Sequence, residues 1–427
     1  MRYTVAIEIE GKRIPVGSLL PMDFGEAAFQ YDDTYLSLPG AMPISVHLPL
    51  QGEPFSTADT RCFFESLLPE GFIRKSVAKC LKTEETDYLS LLHGLGRECL
   101  GAIQITAEGE AIEPEAYTPL TAKQVKSLAE EGASYSAAVV SETHLSLAGA
   151  TGKVGLYCEE DTENWFLPRE TAPSTHIVKQ SHVRYENIVI NELLCQRTAA
   201  RLGLSVPRSD IRNIGCGADG EVLFISRRYD RYIPEQAEII SGLPRPYRMH
   251  QEDFAQALGI PASEKYERNP EQQYLGRMAA LLRQVSSNPV ADLLQLWDAI
   301  VFHFLIGNGD AHIKNFSLLY SADLKTIRLA PLYDTVSTSV YGEKMRKLSL
   351  FIGNAGTIDA VSRLSFQAAA KKIGLGEGMA MQRFDALCDR IKPALAAAAA
   401  ELVQSGFPQA EKLQRDILRT GGLAYFG

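Results

Sequence analysis

The pattern of apolar and polar positions along the chain first predicts a mixed region over residues 1 to about 120. Short alternating segments, "YTVAIEIEG", "TYLSLPG" and "ISVHLPL", are typical of strands. Segments with helical spacing follow, "RCFFESLLPEGFIRKSVAKCL" and "DYLSLLHGLG", and "GAIQITAEG" returns to a strand pattern. The first region is therefore predicted to be a compact α+β module.

The rest of the chain divides into a strand-rich region and a helical one. Residues 121–235 are predicted to be mostly strands, with one helix over about 184–203 that Gly203 would end as a C-cap. From about 252 onward, helical patterns dominate. A long apolar run, "LWDAIVFHFLIG", belongs to this part and ends abruptly in the polar stretch "NGDAHIKN".

Composition narrows the classes of protein that fit. The 427 residues are 45% hydrophobic and 22% charged, as in ordinary globular proteins, and the net charge of -9 does not favour nucleic acid as the main partner. Seven cysteines form no CxxC pair, so they indicate neither a disulfide framework nor a zinc site. No secretory signal is visible, and the apolar run is too short and too polar at Asp298 and His303 to span a membrane. A cytoplasmic protein without a membrane partner is expected.

The polar stretch after the apolar run carries the groups that phosphoryl transfer needs. Asp310 and Asn315 are separated by four residues, and Asp334 follows a strand-like run in "RLAPLYDTVS". A kinase uses one carboxylate to orient the attacking hydroxyl, and an amide and a second carboxylate to hold Mg²⁺ against the phosphates. The spacing alone also fits a loop with capping Asp and Asn side chains.

Two more groups occur in the chain order that such a site needs. The β-branched run "STHIVKQ" places Lys179 near the end of a strand, and the predicted helix after it carries Glu192. Protein kinases use a strand lysine on the nucleotide phosphates and a helix glutamate that orients this lysine. Considered alone, each of these two residues is more simply explained as a charge on the protein surface than as part of a kinase site. The order Lys, Glu, Asp, Asn, Asp is what favours a kinase.

A segment of small residues precedes the lysine strand, "HLSLAGATGKVGLY". Small residues let backbone amides approach a phosphate, and those in this segment, with the lysine that follows them, are Ala148, Gly149, Ala150, Gly152 and Lys153. The segment is not a Walker A loop, because the G-x4-GK-[ST] frame is missing, and a hairpin turn is the alternative. Ser146 at its edge has a hydroxyl that can accept a phosphoryl group.

Six segments in order resemble the successive signatures of the HipA family, the serine/threonine kinase toxins of bacterial toxin-antitoxin modules. They are "SLAGATGK", "THIVK", "RRYDR", "HQEDFAQALGIPASEKYE", "GNGDAHIKNFSLL" and "APLYDTVST". "FFESLLPEG" and "GRECLGAIQI" resemble the N-terminal subdomain of that family. The resemblance implies an α+β, two-lobed protein-kinase-like fold with an additional N-terminal α/β subdomain. The domains would be residues 1–120, 121–235 and 236–427.

The resemblance also implies roles for individual residues. Asp310 would be the catalytic base, Asp334 and Asn315 the Mg²⁺ ligands, and Glu192 the lysine-orienting residue. Ser146 falls where members of the family autophosphorylate, which shuts the kinase down. The ATP-binding residues would be Ala148, Gly149, Ala150, Thr151, Gly152, Lys153, Lys179, Arg227, Arg228, Tyr229, His312, Lys314 and Tyr333. Thr151 and Arg227 depart from the residues that the family often has, Gln and Glu.

As partners, the resemblance implies a helix-turn-helix antitoxin of the HipB type, with DNA reached only through it. The protein substrate would be a bacterial protein, with an aminoacyl-tRNA synthetase as one candidate, and growth arrest or persistence as the result. Two other classes stay open. A small-molecule kinase of the aminoglycoside or choline type also uses a GD-x4-N loop and a later Asp, and a non-catalytic kinase-fold module would only bind the antitoxin.

Two expectations concern the segment "RMHQEDF". His250 is interpreted as a helix-entry or surface residue, and the acidic pair Glu252 and Asp253 as the start of a helix, where negative charge suits the helix dipole. The resemblance would place this segment near the active-site cleft, where it would guide a basic substrate loop. His303, inside the apolar helix pattern, is interpreted as a core histidine rather than a ligand.

Overall fold

The computed structural model describes residues 1–131, 136–137, 139–140, 152–159, 162, 164–181 and 184–426. The chain forms two compact units. The first comprises Met1–His182, Ile225–Ala262 and Leu318–Ile327, and the second comprises Val183–Phe224, Ser263–Ser317 and Arg328–Gly427. Each unit is assembled from three separate stretches of chain, and the three consecutive domains predicted above stay a prediction.

Helices and strands alternate irregularly along the described residues. The helices are α1 Asp33–Leu36, α2 Thr57–Glu65, α3 Gly71–Leu81, α4 Tyr88–Leu95, α5 Ala122–Glu130, α6 Ile188–Leu202, α7 Phe254–Ala257, α8 Tyr274–Val285, α9 Pro289–Ile306, α10 Arg363–Ile373, α11 Glu377–Gln404 and α12 Gln409–Thr420. The strands are β1 Tyr3–Ile9, β2 Lys12–Pro21, β3 Ala27–Tyr31, β4 Ile103–Ala107, β5 Ala116–Pro119, β6 Lys153–Cys158, β7 Trp165–Arg169, β8 His176–Gln180, β9 Ser209–Asn213, β10 Val222–Arg227, β11 Arg231–Tyr232, β12 Ile239–Ile240, β13 Leu243–Pro244, β14 Tyr247–Arg248, β15 Gln251–Asp253, β16 Ser317–Tyr320, β17 Ile327–Leu329, β18 Lys347–Ile352 and β19 Ala355–Thr357.

The first sheet of the first unit has the order β3-β2-β1-β4, and its neighbouring strands are antiparallel. The sequence alternation in β1 places Val5 and Ile7 in the core, where both are fully buried. Helix α2 packs on β3, and the rings of Phe29 and Phe64 lie 5.4 Å apart. The predicted α+β character of this region is confirmed.

Two of the predicted strands in this region are wrong. "TYLSLPG" contains the short helix α1, and "ISVHLPL" forms only an isolated bridge between Ser45 and Leu48. The buried Tyr31 hydroxyl accepts from the Ile44 amide at 2.9 Å and donates to the Leu48 carbonyl at 2.7 Å. Side-chain hydrogen bonds to a tyrosine thus take the place of the strand ladder that the alternation predicted.

The second sheet of the first unit contains β5, β7, β6 and β8 in that order, with the end of β10 beside β8. Strands β6 and β8 are antiparallel and pair over Lys153–Leu156 and His176–Lys179. The predicted lysine strand is therefore present. Helix α5 begins with a capping box in which Thr121 and Gln124 satisfy each other's backbone amides.

Helix α9 is the core helix of the second unit. Trp297, Ile300 and Phe304 are nearly or fully buried, and the Trp297 indole donates to the Ala380 carbonyl at 3.0 Å. Among the residues that the structure describes, α9 alone has the length and mean hydropathy, 1.4, of a membrane span, but 67% of that window is buried inside the protein. The predicted helix over 184–203 is also present as α6, and Gly203 ends it with φ 87°.

A buried ionic network joins distant stretches of the first unit. Glu98 accepts from Arg228 at 3.2 Å, from Arg231 at 3.0 Å and from Arg248 Nε at 2.9 Å, and Glu8 accepts from Arg248 Nη1 at 2.7 Å. These side chains are at most 2% exposed. Burial alone would raise the pKa of Glu98, but the three arginines lower it to about 2. The network therefore holds Glu98 ionised in the interior.

Candidate active site

The polar stretch after α9 is a tightly hydrogen-bonded loop. The Asp310 amide donates to Asn308 Oδ1 at 3.0 Å, the His312 amide donates to the Asp310 carbonyl at 2.8 Å, and the Asn315 amide donates to the His312 carbonyl at 2.8 Å. The Asn315 side-chain amide also donates to the Asp310 carbonyl, at 3.1 Å. Asp310 itself is exposed, while the residues around it are buried. The loop thus presents one carboxylate on a rigid backbone.

Two glycines allow the loop to leave the helix. Gly307 ends α9 with φ 74°, and a Cβ there would lie 2.1 Å from the Ser339 hydroxyl. At Gly309 a Cβ would lie 2.5 Å from the carbonyl oxygens of Met345 and Lys347. Any side chain at Gly309 would therefore push the loop that carries Asp310 away from the β18 segment.

A second loop, which contains Tyr333 and Asp334, is braced against the first. The Asn308 amide group contacts His303 Nδ1 at 3.0 Å and the Asp334 carbonyl at 3.3 Å. The Tyr333 hydroxyl donates to the Lys314 carbonyl at 2.7 Å. Asp334 has φ 50°, a left-handed conformation that aspartate adopts more readily than most residues and that is frequent at functional sites. The two loops are therefore held as one assembly.

The side chains of these loops fit a magnesium ion. The Asn315 Nδ2 group is occupied by the Asp310 carbonyl, which leaves Oδ1 as an acceptor, and Asp334 supplies a half-buried carboxylate. The described residues contain no group of three or more His, Cys, Asp or Glu that would hold a metal by itself. Mg²⁺ commonly takes only one or two protein oxygens and completes its shell with water and substrate phosphates. Asp334 and Asn315 are a suitable pair of ligands for such an ion.

His312 lies in a basic environment within the same loop. Burial lowers its pKa well below the ordinary value, and the neighbouring Lys265 and Lys314 lower it further. His312 is 6% exposed, and its Nδ1 has no hydrogen-bond partner within the described part of the chain. The imidazole is therefore neutral at physiological pH, with a ring nitrogen available to a ligand.

In the first unit, Lys153 of β6 and Lys179 of β8 are direct partners across an antiparallel pair. Both are half-buried, and residues that face each other in this way project on the same side of the sheet. Two like charges so placed make this part of the sheet locally positive. Lys153 thus joins Lys179 as a residue suited to phosphate, and Gly152 lies buried just before β6.

The predicted hinge residues have separate environments. Arg227 is exposed. The guanidinium of Arg228 is fully occupied in the buried network, where it binds Asp230 and Glu98, and its amide donates to the Thr175 carbonyl at 2.9 Å. The Arg228 side chain is therefore committed to the interior, and a role of this residue in ATP binding through its backbone stays a prediction. If this segment contacts adenine, the contact is expected to be made by backbone groups of the hinge.

Glu192 is buried on α6, in the second unit, while Lys179 belongs to the first, and their pairing stays a prediction. The neighbouring Asn191 was missed by the sequence analysis. Its side chain donates to the Ser337 carbonyl at 2.9 Å and accepts from the Ser337 amide at 3.0 Å. This reciprocal pair ties α6 to the segment that follows Asp334.

Other supporting residues were also missed. Asn308 contacts both aspartate loops, and Thr338 accepts from the Gly309 amide at 2.8 Å. The one feature of the sequence that could have identified a supporting residue was the position of Asn308, directly before Gly309 and Asp310. Some predicted residues lie outside the described part of the chain, namely Ser146, Ala148, Gly149, Ala150 and Thr151.

The segment around His250 differs from the prediction. His250 is 1% exposed, and its Nε2 contacts the Ile44 carbonyl at 2.8 Å, so it is a core residue. Glu252 lies in β15 and is buried, where it accepts from Ser45 and Tyr320. Only Asp253 acts as predicted at a helix start, because it caps α7. A buried Glu252 has no access to a substrate loop.

The fold and these two braced loops define a protein-kinase-like protein. Sequence profiles agree, since the HipA N-terminal domain matches residues 7–106 and the HipA-like C-terminal domain matches residues 145–395. The chain belongs to the HipA family of kinases.

Individual relatives cover most of the chain. The protein Y4mE of Sinorhizobium fredii is 34% identical over 390 residues, which cover 89% of both chains. The serine/threonine-protein kinase toxin HipA of Shewanella oneidensis is 29% identical over 345 residues, 78% of this chain and 75% of the relative. The solved complex of HipA, HipB and operator DNA from Shewanella oneidensis contains a chain that matches with a TM-score of 0.77 at 23% identity, over 97% of each chain. The predicted fold class is thereby confirmed.

Proposed function

We propose that the protein is a serine/threonine kinase toxin that transfers the γ-phosphate of ATP to a bacterial protein. The observation that supports this most is the pair of braced loops, in which Asn308 and Tyr333 hold Asp310, Asn315 and Asp334 together. A kinase does little covalent chemistry of its own, and its rate depends on positioning and on charge stabilisation. Rigid loops that carry the three required groups meet that need.

In the proposed reaction, Asp310 orients a serine or threonine hydroxyl and accepts its proton. The hydroxyl oxygen forms a bond to the γ-phosphorus as the bond to the β-γ bridging oxygen breaks, and ADP leaves. Asp334 and Asn315 would hold Mg²⁺, which supplies positive charge to the phosphates when bound. Lys179 and Lys153 bind phosphate oxygens from the sheet.

Regulation and partners are proposed by analogy with the family. Autophosphorylation of Ser146 would add nearly two negative charges beside nucleotide and carboxylates, and would switch the kinase off. A helix-turn-helix antitoxin would neutralise the toxin and carry it to DNA, which agrees with the net charge of -9. The Shewanella complex with HipB and operator DNA supports this partner. An aminoacyl-tRNA synthetase in the cytoplasm is the proposed substrate, and growth arrest the result.

The decisive experiment is phosphosite mapping by mass spectrometry after incubation with Mg-ATP. We expect phosphate on Ser146 in the wild-type protein and none in Asp310→Asn, which keeps the size of the side chain but removes the base. Ser146→Ala is the matched control, and it should still phosphorylate a protein substrate. ADP formation that depends on a small alcohol or sugar, with phosphate transferred to that molecule and no phosphoprotein, would instead indicate a small-molecule kinase.

A further inference from the structure

The last turn of α9 carries a buried histidine beside the residue that joins the two aspartate loops. His303 is 3% exposed, and its Nδ1 lies 3.0 Å from the side-chain Nδ2 of Asn308. The Phe316 ring meets the imidazole edge-on at a centroid distance of 5.7 Å. His303, Asn308 and both aspartates belong to the second unit, so the whole arrangement lies inside one compact unit.

Two backbone groups fix the orientation of the Asn308 side chain. The Asp310 amide can only donate, and it lies 3.0 Å from Asn308 Oδ1. The Asp334 carbonyl can only accept, and it lies 3.3 Å from Asn308 Nδ2. The second hydrogen of that Nδ2 group is available to His303 Nδ1. The imidazole nitrogen is therefore the acceptor of this bond, and the single N–H of a neutral imidazole is then on Nε2.

This arrangement leaves a buried hydrogen-bond donor on His303. Its Nε2 has no hydrogen-bond partner among the residues that the structure describes. The helical neighbours Ala299, Ile300 and Ile306 are buried and apolar. An apolar ring such as phenylalanine would avoid the cost of a buried polar group without a partner. The packing of α9 thus gives no reason for a histidine at this position, whereas the bond from Asn308 does.

We propose that His303 is a positioning residue, which acts through Asn308 to hold Asp310 and Asp334 in the relative position that phosphoryl transfer needs. The inference rests on the proposed kinase function and adds to it a residue outside both aspartate loops. Without the acceptor on His303, one Nδ2 hydrogen of Asn308 is buried without a partner. Asn308 then loses its side-chain bond to α9, and both loops loosen together.

The test changes the acceptor and the bulk of His303 separately. His303→Phe keeps a ring and removes the acceptor, whereas His303→Asn loses the ring and keeps an oxygen close to the position of Nδ1. The readouts are the rate of phosphate incorporation into the full-length protein at saturating Mg-ATP, the Kd of Mg-ATP and the unfolding temperature.

The two variants should separate rate from stability. We expect His303→Phe to slow phosphate incorporation on the order of ten-fold, with a change in the Kd of Mg-ATP below about two-fold. His303→Asn should recover part of the rate, although its unfolding temperature should be the lower of the two, because the lost ring leaves a cavity. A histidine needed only for packing predicts the opposite order of rates.

Trp297→Phe is the matched control on the same helix. It also removes one buried ring N–H bond, to the Ala380 carbonyl at 3.0 Å, and it should leave the rate unchanged. A second measurement does not depend on kinase activity. Nitrogen NMR of the wild-type protein with isotope-labelled histidine, in which the His303 signal is assigned by its loss in His303→Asn, should show a hydrogen on Nε2 only.

The outcomes separate this inference from the proposed function. A wild-type rate in His303→Phe, a slower rate in His303→Asn than in His303→Phe, or equal slowing in Trp297→Phe overturns the inference. A hydrogen on Nδ1 of His303 overturns it as well, and this measurement decides if His303→Phe does not fold. A wild-type protein that incorporates no phosphate contradicts the kinase function, and the position of the imidazole hydrogen then still tests the bond between His303 and Asn308.

Discussion

At the scale of single residues, Glu252 shows how burial changes chemistry. Its carboxylate accepts from the Ser45 hydroxyl at 2.5 Å, the Val46 amide at 2.9 Å and the Tyr320 hydroxyl at 2.5 Å. Burial raises the pKa of Glu252 from 4.5 to about 7, in spite of these bonds. The folded state therefore holds a proton here that the unfolded chain has released at neutral pH.

The raised pKa of Glu252 predicts a pH-dependent stability. The contribution is fully present below pH 4.5, and it is lost as the pH rises towards the folded-state pKa of about 7. Glutamine does not titrate, so Glu252→Gln does not lose this contribution. The difference in unfolding free energy, variant minus wild type, should therefore increase by roughly 3 kcal/mol between pH 4.5 and pH 7.5. Urea unfolding at both pH values measures the difference.

The comparison of Glu252→Gln with the wild-type protein separates the titration of Glu252 from that of neighbouring groups. His250, whose pKa burial lowers to about 4, titrates in the same window, but it does so in both proteins. Glu53→Gln, the same substitution at an exposed position, is the control for the chemical change itself. A pH-independent difference for Glu252→Gln would contradict the assigned pKa.

At the scale of elements, the contact between α6 and the segment after Asp334 gives a further prediction. Asn191 is fully buried, and besides its contacts with Tyr341 and Cys195 it makes two hydrogen bonds to Ser337. Asn191→Ala leaves a buried amide and a buried carbonyl unpaired, which should cost about 2–4 kcal/mol of unfolding free energy. Because Asp334 lies on the released segment, we also expect kcat to fall more than KM changes.

The control for this prediction is Asn288→Ala. Asn288 caps α9 by accepting from the Ala291 amide at 3.3 Å, and its loss should cost only about 1 kcal/mol. Denaturant unfolding and initial rates, measured on both variants, test the comparison. Equal stability losses with unchanged kcat would argue against a role for α6 in holding the loop that carries Asp334.

How far the sequence predicts these elements depends on where their partners lie. The local residue pattern located α6 by its helical spacing, α9 by a long apolar run and β8 by a β-branched run, because each pattern lies within the element itself. It failed for "ISVHLPL", whose backbone partner is the hydroxyl of Tyr31. For the candidate site, Asp310, Asn315 and Asp334 were predicted from spacing and chain order together, whereas Asn191 and Thr338 were not, since only the folded chain brings them near the two loops.

At the scale of the whole molecule, the buried ionic network of Glu8, Glu98 and their arginines joins distant stretches of the first unit. Removal of one partner from a buried ionic group leaves the others uncompensated, typically at about 3–5 kcal/mol. We expect Glu98→Ala to lose that much unfolding free energy, because Arg228, Arg231 and Arg248 all donate to this carboxylate. Thermal and urea unfolding measure the loss.

The matched control is Glu108→Ala, which removes an exposed ion pair with Arg2 at 3.8 Å and should cost less than about 1 kcal/mol of unfolding free energy.

The stability of the wild-type protein at acidic pH gives a second test. Because the pKa of Glu98 is lowered to about 2, its contribution is present above pH 4.5 and is lost as the pH falls towards 2. A Glu98→Ala protein as stable as Glu108→Ala would show that the network is not needed.

The same network also determines when the first unit can fold during synthesis of the chain. Glu8 enters the chain early, but Arg248, which donates to it, follows 240 residues later. At roughly 5–20 residues per second, the ribosome needs on the order of ten to fifty seconds to supply that partner. During this interval the emerging chain contains two carboxylates, Glu8 in β1 and Glu98 before β4, that the finished interior would bury. Nascent chains cannot complete the first unit before Arg248 emerges, so translation itself delays the appearance of a working kinase.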